Sequence, residues 1–268
     1  MVIVDLARGP VDLDALGDAD AIELRAEAVE VDALAAAFAE LRGLRGLKTL
    51  RLASRVRALP PGITELRGLQ HLSIVDAVLP GLPAGIDAWT RLRTLRLRLF
   101  HLASLPRSVA GLVRLRELAI DSHHLCGLPR GLSALVELRA LTLILRHDYV
   151  HDWQRPAHFN PRFTQPLAEL FTILAELPAL AELTLSEPVS HTSPGAIFAQ
   201  LPVELGGLRA LETLRFVDSC ASVLPAELSM PWVRRIGRVG SEMRDEELRR
   251  IFPNAIRDDR RSHDPEEP

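Results

Sequence analysis

Leu-Pro steps at Leu59, Leu82, Leu105 and Leu128 recur every 23 residues, and Leu201 and Leu224 repeat that interval. A fixed period of this size marks a chain built from stacked repeats, which excludes most other architectures at once. Counted from the Leu of each step as position 0, apolar residues return at offsets 4, 7, 10, 13 and 15: Ile63, Leu66, Leu69, Leu72 and Ile74 in one unit, Leu132, Leu135, Leu138, Leu141 and Leu143 in another. Offsets 13 and 15 alternate with polar residues as a short strand does, whereas the spacing of three before them suits a tight helical or 3-10 turn.

The same template fits "AFAELRGLRGLKTLRL" from Ala37 and "LFTILAELPALAELTL" from Leu170, neither of which carries the Leu-Pro step, so units start at 37, 59, 82, 105, 128, 170 and 201. One such unit cannot cover its own apolar face; neighbours must stack, with their strands about 4.8 Å apart in one parallel sheet.

These residues resemble the leucine-rich repeat family, in its 23-residue intracellular form with the phrase LPxxLxxLxxLxxLxL, over roughly residues 10 to 256. The resemblance implies an α/β fold: a single curved solenoid with a parallel sheet on the concave face, short helical or 3-10 turns on the convex side, and a role in binding other proteins. One departure stands out. The family places Asn at offset 18, where the amide bonds the turn backbone along the stack; here that column reads Arg55, Ala77, Phe100, His123, Arg146, Pro188 and Ser219. The backbone groups of those turns must find other partners or water.

The predicted organisation is an N-terminal cap over 1–36, in which "AIELRA" reads as a strand, and a solenoid over 37–240 with insertions near 146–169 and 186–200. The stretch "VDALAAAFAELRGL" reads as an amphipathic helix leading into the first clear unit. A C-terminal cap over 241–256 has acids early and arginines late in "SEMRDEELRRIF", as a helix dipole favours. A disordered tail over 257–268 has no apolar periodicity.

Composition narrows the setting. Lys48 is the only lysine, leaving 31 of the 32 basic residues as arginine, a bias that points to a GC-rich, bacterial source. The net charge of −3 gives no general attraction to nucleic acid or to an anionic membrane. The N-terminus has no secretory pattern and no apolar run reaches membrane-spanning length. Cys126 and Cys220 read as small buried side chains in a reducing compartment. The expectation is a cytoplasmic protein without cofactor.

The repeat spacing breaks twice: 42 residues separate the units starting at 128 and 170, and 31 separate those starting at 170 and 201. The first insertion holds Tyr149, Trp153, Phe159 and Phe163, four of the twelve aromatic residues of the chain. Two readings of this enrichment stand side by side: a small core that keeps a long loop folded, and exposed anchors, Tyr149 and Trp153, for a partner.

His101, His124 and His147 all occupy offset 19, so they form a column one repeat apart, about 5 Å between rings on strand spacing. With His151 nearby, this column is the candidate metal set, since imidazoles converging about 2.1 Å from one point hold zinc. A pH-sensitive interface and a surface residue inherited through repeat duplication are the alternatives.

Offsets 11 and 14 are basic over the first repeats. Arg93, Arg96, Arg98 and Arg116 are candidate contacts for a protein partner with an acidic surface. Glu182, Glu187, Glu212 and Asp218 shift the later repeats toward acid. Catalysis is not expected. "LRGLKT" lacks the end of a P-loop, there is no nucleophile elbow and no HExxH helix, and Cys126 beside His123 and His124 has no orienting acid. The reading is a non-catalytic interaction scaffold, with a metal- or pH-responsive histidine module as the alternative.

Overall fold

The computed structural model describes residues 1–12, 16–26, 31–146, 163–188, 196–218, 223–240 and 243–258. The chain divides into two compact units, Met1–Leu138 and Arg139–Pro268. The first holds strands β1 (Val2–Asp5), β2 (Ala21–Ala26), β3 (Thr49–Ser54), β4 (His71–Ala77), β5 (Thr94–Leu99) and β6 (Glu117–Ser122), with helix α1 (Val31–Leu41) between β2 and β3. Each strand pairs in parallel with the next in chain order. The second holds β7 (Ala140–Leu145), α2 (Leu167–Ala175), β8 (Glu182–Ser186), β9 (Thr213–Val217), β10 (Arg235–Val239), α3 (Asp245–Ile251) and β11 (Ile256–Arg257), again parallel and in order. Both units have the leucine-rich repeat fold that the 23-residue phrase predicts.

The register follows from the leucine columns. Leu50, Leu72, Leu95 and Leu118 face one another across β3 to β6, as do Leu52, Ile74, Leu97 and Ile120, and each is almost fully buried. A slip of one residue would turn a whole row of leucines to water, at about 2 kcal/mol per side chain, so pairing has one solution.

The return limb of each repeat depends on how it begins. Where Pro follows Leu, the chain enters a 3-10 turn, as at Pro61–Glu65, Arg107–Gly111, Arg130–Ala134 and Val203–Gly207. Proline presets φ and lacks an N–H that would go unbonded there. Ile63, Leu66 and Leu69 then stay on one side because i to i+3 bonds, Leu66 N–H to Ile63 O and Leu69 N–H to Leu66 O, turn the chain once per three residues. The two repeats without Leu-Pro carry α-helices instead, and their buried residues change period accordingly: Leu34, Ala37, Phe38 and Leu41 in α1, Leu170, Phe171, Ile173 and Leu174 in α2. At offset 7 of the third unit Trp89 replaces Leu; it is fully buried, and its indole N–H donates to Ile63 O at 3.1 Å.

Several local expectations change. The strand series begins at β1, earlier than "AIELRA", although Val2 and Ile3 are exposed. At the other end, order runs past residue 256: Arg257 lies in β11, and Asp258 accepts from Arg215 at 3.0 Å. The tail beyond Asp258 lies outside the described residues. Cys126 is exposed, not buried, because the core position of that limb is Leu125, one residue earlier and in line with Leu79 and Leu102. Cys220 lies outside the described residues.

Candidate functional site

The turns that leave the strands show what replaces the missing asparagines. In two of them the substitute is a buried serine one position earlier, at offset 17. Ser54 donates its hydroxyl to Ala26 O at 3.2 Å and accepts the amide of Val56 at 3.2 Å. Ser122 does the same work, donating to Leu102 O at 2.9 Å and accepting the amide of His124 at 3.1 Å. Each hydroxyl therefore closes its own turn and reaches back one repeat, satisfying groups that would otherwise be buried without partners.

Ser122 thus fixes the backbone of the histidine rim. His123 N–H donates to Phe100 O at 3.3 Å and Cys126 N–H to Ala103 O at 2.9 Å, so the two successive rim turns are stitched together. On this frame four rings assemble. Phe100, 43% exposed, stacks on His123 with centroids 4.0 Å apart and planes tilted by 23°. Its ring also meets His101 edge-to-face at 4.7 Å. His101 and His124 lie 4.6 Å apart, with their Nδ1 atoms separated by 3.1 Å. At that distance one imidazole Nδ1–H donates and the other Nδ1 accepts. Sequence reasoning placed the histidines in a column; it missed Phe100 and His123 as their packing partners, although both stand in the offset 18 column.

His147 and His151 lie outside the described residues, as do Tyr149 and Trp153. Among the described residues no group of three histidine, cysteine, aspartate or glutamate side chains converges as a metal site. Of the aromatic insertion, Phe163 is described, and it is buried beside the start of α2.

Arg93, Arg96, Arg98 and Arg116 are all exposed on the strand side. Three have acidic neighbours across the ladder: Arg96 is 3.6 Å from Glu117, Arg98 is 3.8 Å from Asp121, and Arg116 is 3.1 Å from Glu137. Upstream, Glu23 takes Arg25 at 2.7 Å and Arg51 at 3.7 Å. The solvent face of this unit is therefore a mosaic of alternating sign rather than a basic strip. In the second unit Glu182, Glu212 and Asp218 are exposed, but Glu187 is not part of any acidic surface. It is fully buried, and its carboxylate oxygens accept the amides of Ile197 at 2.7 Å and Phe198 at 3.0 Å.

No family model matches the chain. Solved structures do. The leucine-rich repeat domain of the type III effector XopL aligns over 91% of this chain and 77% of its own, at 21% identity and a TM-score of 0.56. TLR13, from its complex with ssRNA13, aligns over 95% of this chain and 35% of its own, at 14% identity and a TM-score of 0.62. A chain of the Toll–Spatzle complex of Drosophila aligns over 84% of this chain and 31% of its own, at 15% identity and a TM-score of 0.57. The chain is a leucine-rich repeat protein in fold. Among the described residues no helix is long and apolar enough to cross a membrane.

Proposed function

We propose that this chain is a non-catalytic, cytoplasmic interaction scaffold that binds a protein through the solvent face of its strands and the 146–169 insertion. The observation that carries the reading is the charge mosaic on β5 and β6. Arg96 and Arg98 alternate with Leu95, Leu97 and Leu99, so they are fixed at strand spacing and directed away from the core. The Arg96–Glu117 pair is half exposed on both sides, so exchanging Glu117 for a partner carboxylate costs little, whereas Asp121, the neighbour of Arg98, is mostly shielded. A rigid ladder also loses little conformational freedom on docking.

Related folds meet different ligands, a protein in the Toll–Spatzle complex and RNA in the TLR13 complex. Charge favours the protein here. A nucleic acid requires a run of unneutralised cations along its phosphates, whereas these arginines interleave with carboxylates and the chain as a whole is at −3. Arg93 forms no ion pair with a described residue and is a first contact for an acidic group, together with Arg96, Arg98 and Arg116. Tyr149 and Trp153 supply aromatic anchors from the insertion.

The test is capture from the native lysate by the full chain, compared with an Arg93→Glu, Arg96→Glu variant and a Tyr149→Ala, Trp153→Ala variant, all verified as folded. A protein retained by the parent chain and lost by both variants is the expected result. Capture that neither variant changes would place binding elsewhere and overturn the reading.

A further inference from the structure

We propose that His101 and His124 form a two-imidazole binding site for a divalent late transition metal of tetragonal preference, nickel(II) or copper(II). The site is independent of the protein-binding reading and stands on the geometry of the rim.

The Nδ1 atoms are 3.1 Å apart. A metal about 2.1 Å from each would subtend an N–metal–N angle of about 95° for that separation. This is close to the right angle between neighbouring ligands in a tetragonal field and well short of the tetrahedral angle that zinc favours in protein sites. Imidazole nitrogen suits nickel and copper, and copper(II) stands highest in the general affinity order.

The backbone that carries the ligands is held before any metal arrives. His124 is fixed through its amide to Ser122 Oγ at 3.1 Å, and His101 is braced edge-to-face by Phe100 at 4.7 Å, which is itself stacked on His123. Each ring must swing by about 40° from the hydrogen-bonded arrangement, because each Nδ1 is aimed at the other rather than at a common point. The proton between them must also leave: it moves through solvent to the Nε2 of the same ring, so both Nδ1 lone pairs become available to the metal and no net proton is released. Among the described residues no third ligand converges, so the other coordination positions would be left to water.

Cys126 lies close to the rim, its thiol donating to His124 O at 3.4 Å, so nickel(II), which an exposed thiol does not reduce, is the probe of choice. Nickel(II) is titrated by calorimetry into the full chain, into His101→Phe and His124→Phe, which keep a ring in each place, and into His71→Ala. His71 is an exposed control whose Nδ1 lies 3.1 Å from Thr94 Oγ1. The expected result is one tight equivalent in the parent chain and in His71→Ala, weakened about 100-fold in either phenylalanine variant, as loss of one of two linked ligands implies. A parent chain without such an equivalent, or phenylalanine variants that bind as the parent does, would overturn the proposal. Should a variant not fold, paramagnetic broadening in the parent chain decides the matter: the imidazole signals of His101 and His124 are affected first, and broadening centred on other histidines refutes the site.

Discussion

The carboxylate of Glu187 holds the backbone amide of Phe198 at 3.0 Å, with every atom of the glutamate shielded from solvent. Its other oxygen takes Ile197 at 2.7 Å, so one side chain anchors the far end of the second insertion to the end of β8. Glu187→Ala leaves one buried and one half-buried amide without an acceptor and is expected to cost about 3 kcal/mol. Glu187→Gln keeps one acceptor oxygen but turns an NH2 toward the second amide, and is expected to recover less than half of that. Urea denaturation of the three proteins measures both values.

Ser122→Ala removes the hydroxyl that accepts from His124 and donates to Leu102. The expected loss is about 1–2 kcal/mol by chemical denaturation. Its diagnostic effect is local: the imidazole signals of His101 and His124 shift in the NMR spectrum, whereas Ser54→Ala, with a similar stability cost, leaves them in place.

Removing an arginine from the mosaic has little effect on folding. Arg96→Ala and Glu117→Ala are each expected to change stability by less than about 0.5 kcal/mol, because the pair is 3.6 Å apart and both side chains are half exposed. A double-mutant cycle in thermal denaturation gives a coupling energy near zero if this holds.

Asp245 opens α3, where a hydrogen bond from Arg257 holds its carboxyl below the usual carboxylate range, against the opposing effect of burial and aided by the charges of Arg238, Arg257 and Arg249. A lowered folded value means the contribution is present at neutral pH and is lost as pH falls through that value. Asp245→Asn is therefore expected to lower Tm at pH 7, with the gap to the parent chain closing below about pH 4. Calorimetric scans from pH 7 to pH 2 follow it.

The core was readable because every repeat makes the same demand at the same offset. Leu50, Leu72, Leu95 and Leu118 identify one another, and the turn or helix of each limb follows from whether buried residues recur every three or every three to four positions. Residues that serve one place only were not readable. Glu187 looks like any surface acid until the Ile197 and Phe198 amides come into view. Ser54 and Ser122 do the work of an asparagine from the neighbouring offset, where the family pattern gives no reason to look. β1 lies ahead of the repeats that establish the columns, and its exposed Val2 and Ile3 offer no core signal. Of the candidate site, the neighbourhood of His101 and His124 was legible from spacing alone, while His147, the third residue of the column, lies outside the described residues. The ring of Phe100 that braces His101 depends on side-chain rotation, which spacing does not specify.

The aligned columns also set how the ladder within a unit can change in length. β7 pairs with β8 at a separation of 42 residues, β8 with β9 at 31, and Gln200 bridges Val223 at 23, yet register is kept at each step. Adding or removing one full period keeps every leucine beside a leucine; any other change in length must be absorbed between strands. The 42- and 31-residue intervals both follow that rule, their additional residues inserted where a strand has ended and before the next limb begins. Sequence can therefore be gained there one residue at a time, while the ladder itself grows or shrinks only by whole repeats.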